Sequence, residues 1–233
     1  MISVCMATYN GGQFIKDQII SILQQLSEED ELIITDDGSS DNTAEIIHNF
    51  NDLRIKFYRN KIRLGYIKNF EQALILSSGE TIFLADQDDI WLSGKIEKMK
   101  QTIKNNKCSA VVCNAQIINT GGAIIGRPYF ETRKSGPGLW RNFYKNGYHG
   151  CCMAIKRNIL ENAIPFPIPT VPHDFFLGLV ADAENGVVFL DEVFVLHRRH
   201  ESNTSSANPR GFIQIVTSRL EAVIALLVVF FRR

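Results

Sequence analysis

Residues 2–23 read ISVCMATYNGGQFIKDQIISIL. Ile2 to Thr8 is an apolar run of small and branched side chains, the pattern of a buried strand. Gly11 and Gly12 break it. Phe14 to Gln25 then carries Phe14, Ile15, Gln18, Ile19, Ile22 and Leu23 at the spacing of one helix face. The same alternation recurs. Glu31 to Thr35 reads as a second strand, closed by an Asp-Gly-Ser-Ser-Asp turn. Ser40 or Asp41 is placed to cap a helix that starts near Thr43 and carries Ile46, Ile47 and Phe50. Ile55 to Tyr58, Thr81 to Ala85 and Ala110 to Ile118 read as further strands, and Ile67 to Leu76 and Lys95 to Lys104 as helices. Strand–helix alternation of this kind predicts an α/β fold with a mainly parallel, Rossmann-like sheet and helices on both faces. Ligands of such sheets bind beyond the carboxyl ends of the strands. Thr8 to Gly12, Asp36 to Asp41 and Asp86 to Asp89 all fall there.

From about Thr120 the periodicity fails. Glycine, proline and aromatic residues dominate Gly121 to Tyr148, which reads as irregular structure at the sheet edge and a place for a second substrate. A strand pair is expected at Val187 to Leu190 and Val193 to Leu196, and Ser202 to Gly211 reads as a polar loop. The boundaries that follow are 1–119 for an α/β nucleotide-binding region, 120–205 for an acceptor-side region and 206–233 for a helical tail.

Composition narrows the classes. The 233 residues are 45% hydrophobic and 21% charged, enough for a sizeable core. Lysine plus arginine balance aspartate plus glutamate at 25 each, so no basic surplus draws the chain to nucleic acid. Cys5, Cys108, Cys113, Cys151 and Cys152 form no C-x-x-C pair and read as buried reduced thiols of a cytosolic protein. No basic stretch precedes the first strand, so no signal peptide is expected. Ala222 to Phe231 reads AVIALLVVFF, closed by Arg232 and Arg233. A spanning helix needs about 20 apolar residues. This run is either a packing helix at the domain edge or a peripheral contact with a membrane surface, and its abrupt end also fits a shortened chain.

Two dense carboxylate groups stand out at strand ends: Asp36, Asp37 and Asp41 in DDGSSDNT, and Asp86, Asp88 and Asp89 in ADQDDIW. Adjacent carboxylates repel unless a cation or hydrogen-bond donors are present. Asp-x-Asp at a strand end suits a hard divalent cation shared with a diphosphate. The bland alternative is turn and cap chemistry. GxGxxG, GxxxxGK[ST] and GxSxG are all missing, which counts against dinucleotide dehydrogenases, P-loop NTPases and α/β-hydrolases. His173 and Asp174 follow a proline-rich stretch and precede the apolar run Phe175 to Val180. There Asp174 is either an N-cap or a general base. Leu196 to Ser205, LHRRHESNTS, is either a solvated loop or a basic segment that offsets the charge of a leaving diphosphate.

MATYNGGQFIKDQIISILQQ, ELIITDDGSSDNT and SSGETIFLADQDDIWLSGKIEKM resemble family 2 glycosyltransferases of the GT-A fold. ADQDDIW, the His-Asp pair and the R-x-H-x-x-N-x-S string from Arg198 to Ser205 resemble a bacterial branch that includes rhamnosyltransferases of surface polysaccharide assembly. The resemblance covers most of Ile2 to Ser205, and its motifs keep the family's order. It implies an inverting, metal-dependent transfer from a nucleotide-diphosphate sugar, UDP- or dTDP-linked, to a saccharide or lipid-linked acceptor, in the cytoplasm or at the inner face of the membrane. By the same resemblance Thr8, Tyr9, Asn10, Asp36, Asp37, Gly65, Asn69, Asp86 and Gln87 contact the donor, and Asp88 and His200 hold Mn2+ or Mg2+. Asp174 is the base, and Gly150, Cys151, His173 and Arg198 lie on the acceptor side or near the diphosphate. His173 stands where many relatives carry glutamate. Two other classes remain at this point: a catalytically silent sugar-nucleotide binding module, and a nucleotidyltransferase, which would want a basic glycine-rich loop near the amino terminus.

Overall fold

The computed structural model describes residues 1–168, 171–201, 203 and 212–232. The strands are β1 (Ile2–Thr8), β2 (Glu31–Asp36), β3 (Ile55–Arg59), β4 (Thr81–Asp86), β5 (Ile90–Trp91), β6 (Ala110–Ile118), β7 (Met153–Lys156) and β8 (Val187–Arg198). The helices are α1 (Ile15–Leu23), α2 (Thr43–His48), α3 (Tyr66–Leu76), α4 (Lys95–Asn106), α5 (Tyr129–Arg133), α6 (Leu139–Tyr144), α7 (Arg157–Ala163), α8 (His173–Glu184) and α9 (Phe212–Arg232). One sheet runs in the order β3-β2-β1-β4-β7-β6-β8-β5. β3, β2, β1 and β4 are mutually parallel and form the half built by strand–helix alternation. β7 then enters antiparallel between β4 and β6, β8 returns parallel to β6, and β5 closes the edge antiparallel to β8.

The central strands are apolar on both sides because the sheet is covered on both. Ile2, Val4, Cys5 and Met6 of β1, and Leu32, Ile33 and Ile34 of β2, are fully buried and belong to one continuous core. The inner face of α1 puts Ile15, Ile19 and Ile22 into the same core, as the helix-face spacing predicts. Among the described residues every cysteine is buried and free, in keeping with the reduced-thiol reading.

Three local expectations change. Val187 to Leu196 is one strand rather than a pair. Its ladder with β6 slips at Cys113/Asn114 and again at Asn114/Ala115, and Asn114 Nδ2 holds the bulge by donating to the Asp191 carbonyl and carboxylate, each at 3.2 Å. Asp191 and Glu192 look like a turn in the sequence because they are this bulge. The irregular stretch from Gly121 to Tyr148 contains α5 and α6, which are too short to show a helical period. The apolar tail belongs to α9, which begins at Phe212, and no helix of the described residues is long and apolar enough to cross a membrane. Ala222 and Ala225 are buried, while Leu220, Val223, Ile224 and Leu227 are exposed. The terminal Arg233 and most of the Ser202 to Gly211 loop lie outside the described residues.

A polar knot secures the amino ends of the strands. Ser3 Oγ, at 2.5 Å, and the Ser78 amide, at 2.7 Å, donate to Glu31 Oε1, and Lys56 Nζ lies 2.6 Å from Oε2. Burial opposes the charge of Glu31, yet Lys56, Ser3 and Ser78 outweigh it and hold the carboxyl down at about 2. A depressed carboxyl contributes stability that is present above its unfolded value, about 4.3, and is lost as pH falls through the folded value. Denaturant unfolding should therefore show stability declining between those two pH values. Glu31→Gln should cost about 1–3 kcal/mol at neutral pH and flatten that acid limb; an unchanged acid limb would contradict the assignment.

Candidate active site

The parallel register brings the chemistry-bearing strand ends together. Thr8 lies opposite Asp36, and Ala7 opposite Asp86, so β1, β2 and β4 end side by side. Asn69 of α3 locks two of these ends: its Nδ2 donates to the carbonyls of Thr35 at 2.8 Å and Thr8 at 3.3 Å, and its Oδ1 accepts from Asn60 Nδ2 at 2.8 Å. Asp36 is fully buried. It accepts from the Ser39 amide and hydroxyl and pairs with Arg59 at 3.4 Å, which shapes the turn. Asp37 accepts from the backbone amides of Leu64 at 2.7 Å and Gly65 at 2.8 Å, and so draws the start of α3 toward β2. Gly65 has φ 81°, a conformation that favours glycine.

Gln87 reaches back to β1. Its Oε1 accepts from Thr8 Oγ1 at 2.5 Å and the Tyr9 amide at 2.9 Å, and its Nε2 donates to the Tyr9 carbonyl at 3.2 Å. The Tyr9 ring is covered by the guanidinium of Arg63 at 4.0 Å. Asn10 takes a left-handed backbone, and its Oδ1 accepts the Ser40 amide at 2.9 Å. Thr8, Tyr9, Asn10, Asp37 and Gly65 thus line one margin, with Asp86 and Gln87 facing it.

The second carboxylate group is where charge concentrates. Asp86, Asp88 and Asp89 each bring a carboxylate oxygen within 4.8 Å of the others. Burial, then Asp89, then Asp88 push Asp86 well above the usual carboxylate range; Asp174 adds in the same direction. Burial and Asp89 likewise raise Asp88, against the pull of His200 and His197. His200 Nε2 lies 2.7 Å from Asp88 Oδ2, and Asn203 Nδ2 donates to the same oxygen at 3.0 Å. Asp89 differs: although burial opposes its charge, His197 Nδ1 at 3.0 Å and the Arg198 amide at 3.0 Å hold it below the usual range. Arg198 binds the backbone around Asp88 by donating to the Asp88 carbonyl at 3.0 Å and the Thr120 carbonyl at 2.8 Å. Phe14 stacks on His200 at 5.0 Å and lies under Arg198 at 4.8 Å.

The side expected to take the acceptor is built from the other half of the sheet. Asp174 stands in the first turn of α8, half-buried, behind Pro172 at the N-cap. Its Oδ1 accepts the Phe175 amide at 2.8 Å, which leaves Oδ2 for other work. His173 is buried and stacks on Phe70 at 4.0 Å. A side chain at Gly150 would meet His173 Nε2 at 3.1 Å and Asp174 Cβ at 3.4 Å, so the Gly150–Cys152 turn passes close to both residues. Lys95 is fully buried, donates to the Cys151 carbonyl at 2.7 Å and holds that turn from below. A broad groove of about 1180 Å3 opens at the amino ends of the strands, beside Thr81, Lys100 and Arg157, but it contains none of these carboxylates.

The family model for glycosyl transferase family 2 matches residues 3–163. The chain belongs to this family. A UDP-Glc:alpha-D-GlcNAc-diphosphoundecaprenol beta-1,3-glucosyltransferase of Escherichia coli is 31% identical over 206 residues, which are 88% of this chain and 79% of the relative. A dTDP-rhamnosyl transferase of Shigella flexneri is 29% identical, covering 87% of this chain and 74% of its own length. The crystal structure of Staphylococcus aureus TarS 1-349 with UDP-GlcNAc superposes with a TM-score of 0.72 at 20% identity, over 96% of this chain and 66% of that one. A mannosyltransferase from Pyrobaculum calidifontis, in complex with GDP-Man and Mn2+, gives a TM-score of 0.66 at 18% identity, over 100% of this chain and 64% of that one. The chain is a glycosyltransferase with the GT-A fold, as its motifs imply.

Within this family 2 enzyme the residues named from sequence fall into two sets that meet. Thr8, Tyr9, Asn10, Asp36, Asp37, Gly65, Asn69, Asp86 and Gln87 surround the ends of β1, β2 and β4, and Asp88 joins His200. Gly150, Cys151, His173 and Asp174 approach from the α8 side, close enough for the charge of Asp174 to act on Asp86. Ser205 of the late string lies outside the described residues. Sequence reading missed Asp89–His197, Phe14 and Lys95. Asp89 and His197 were visible as a third aspartate and an extra histidine, but their pairing needs β5 and β8 side by side.

The donor set fits a hard divalent cation. Hard oxygens cluster, two of the carboxyls are raised by burial and then by their acidic neighbours, and Asp89 Oδ2 is buried with no protein partner among the described residues. Protons compete with a cation for raised carboxyls. Mn2+ affinity, measured by calorimetry at stepped pH, should therefore weaken at pH values still above the free aspartate value of about 3.9. Affinity that stays flat down to that value would contradict it.

Proposed function

We propose that this enzyme transfers a sugar, with inversion, from a UDP- or dTDP-linked donor to a saccharide or lipid-linked acceptor in the assembly of a bacterial surface polysaccharide. Support comes from one juxtaposition: Asp86, at the end of β4 and grouped with Asp88 and Asp89, lies within the electrostatic reach of Asp174 on α8. Donor carboxylates and a candidate base thus flank one cleft. The names of the E. coli and Shigella relatives favour UDP or dTDP donors, and that of the E. coli relative a diphosphoundecaprenol-linked acceptor.

The nucleotide lies along Thr8, Tyr9 and Asn10, with Asp37 at the base and Asp86 and Gln87 at the ribose and sugar. Asp36 and Asn69 serve by holding the strand ends. Asp88 and His200 would hold Mn2+ or Mg2+, and the ion would supply positive charge to offset that of a departing diphosphate. Arg198 keeps the Asp88 segment in place. Asp174 takes the proton from the acceptor hydroxyl. The acceptor oxygen forms its bond to the anomeric carbon as the carbon–phosphate oxygen bond breaks on the opposite face, and the nucleoside diphosphate leaves. Residues 1–119 work on the donor and 120–205 on the acceptor. The exposed Leu220, Val223, Ile224 and Leu227 of α9 form an apolar stripe suited to peripheral contact at the inner face of the cytoplasmic membrane.

A general base contributes about 100- to 10,000-fold. Asp174→Asn should lower kcat by that order while nucleotide-sugar affinity stays near wild type, and full activity would remove Asp174 from the mechanism. Asp88→Ala should lose the Mn2+-dependent part of donor binding in calorimetry. A panel of nucleotide sugars, read by nucleoside-diphosphate release and by the product's anomeric configuration, tests the assignment. Retention, or pyrophosphate as the product, would overturn it.

A further inference from the structure

Helix α3 touches both sides of the cleft. At its start, the Asp37 carboxylate holds the Leu64 and Gly65 amides at 2.7 and 2.8 Å, and farther along Asn69 locks the ends of β1 and β2. The next residue, Phe70, stacks on His173 of α8, with ring centroids 4.0 Å apart and planes 21° from parallel. Tyr66, one turn earlier, meets the edge of the same imidazole at 6.3 Å. Glu71 accepts the amide of Phe166 in the segment that leads to α8. One short helix thus carries contacts to the donor-side strand ends and contacts to the neighbour of Asp174.

What the imidazole does there follows from its nitrogens. His173 is 6% exposed, and Nδ1 and Nε2 are both closed off from solvent with no hydrogen-bond partner among the described residues. Nε2 faces the Gly150 backbone, where an added Cβ would stand 3.1 Å away. Nitrogens sealed in this way offer a substrate hydroxyl nothing to bond. Burial also lowers the basicity of the ring, against the weaker pull of Asp174, so the ring is neutral. It is left with its shape, a flat plate packed on Phe70 and against the Gly150 turn.

The place matters because His173 and Asp174 open α8. The first amides of a helix lack intrahelical partners, and helix ends fray. Asp174 Oδ1 accepts the Phe175 amide at 2.8 Å, a bond within the same turn that fixes nothing relative to the donor side. We propose that His173 is a positioning residue: its stack on Phe70 sets where Asp174 stands relative to the donor pocket, and the ring serves as a neutral plate, not as an acid, base or ligand. The inference rests on the reading of Asp174 as the base. A misplacement of about 1 Å at a reacting group costs about 100-fold in rate.

The test uses the full chain with Mn2+ and the nucleotide sugar that it turns over. His173→Ala should lower kcat by about 100-fold while UDP or dTDP affinity in calorimetry stays at the wild-type value. Phe70→Ala should do the same, and the double variant should lose no more than either single one, because both remove one stack. His173→Phe should rescue most of the rate lost in His173→Ala, and His173→Gln should not. Rescue by glutamine instead of phenylalanine, or additive losses in the double variant, would overturn the proposal. Asp174→Asn is measured alongside: full activity there removes the base and this inference with it, whereas a crippled Asp174→Asn beside a fully active His173→Ala removes the positioning role alone. Hydrogen exchange in the first turn of α8 needs no substrate. It should quicken in His173→Ala and slow again in His173→Phe, and unchanged exchange would also overturn the proposal.

Discussion

Asp36 and Asp37 follow β2, and Asp86, Asp88 and Asp89 follow β4, so two acidic groups flank the carboxyl end of β1. Like charges so close raise one another's free energy unless something opposes them, and most of the local architecture answers that problem. Asp36 is absorbed by Ser39 and Arg59, and Asp37 by the amides of Leu64 and Gly65. Asp89 is matched by His197, and Asp88 by His200 and Asn203. Asp86 has no such partner among the described residues, and burial together with Asp89 and Asp88 drives its carboxyl upward. The repulsion that remains at Asp86 and Asp88 favours a cation there.

The region around His173 and Asp174 is set by a different constraint, close approach. Gly150 lets the turn before β7 pass within contact of His173 and Asp174, while Lys95 fixes that turn through the Cys151 carbonyl. Because β7 runs antiparallel beside β4, its leading turn arrives near the end of β4 that carries Asp86. The antiparallel insertion is thus what brings the Asp174 end of α8 toward the Asp86 end of β4. The bulge in β8 belongs to the same arrangement: it re-registers the strand so that His197 and Arg198 pair with Ile117 and Ile118 and lie beside Asp89.

The donor half was largely legible in the sequence. Strands that are apolar throughout, helices with a clear face and carboxylates directly after strands are local signals, and each survives in the structure from Ile2 to Ile118. The second half was harder for a physical reason. α5 and α6 are shorter than the window in which a helical period can be seen, and a two-residue bulge at Asp191 and Glu192 is indistinguishable in sequence from a turn. The Asp89–His197 pair joins residues 108 positions apart, so only tertiary pairing reveals it. Asp174 was readable as an acid at a helix start, but its nearness to Asp86 depends on where β7 inserts.

The most direct test of the convergence is anomalous diffraction at the manganese edge from crystals soaked with Mn2+ and UDP. The account predicts a single strong peak at Asp88, between the ends of β1 and β4, touching the diphosphate, with Asp174 across the cleft. A peak remote from Asp88, or nucleotide bound at another edge of the sheet, would contradict it.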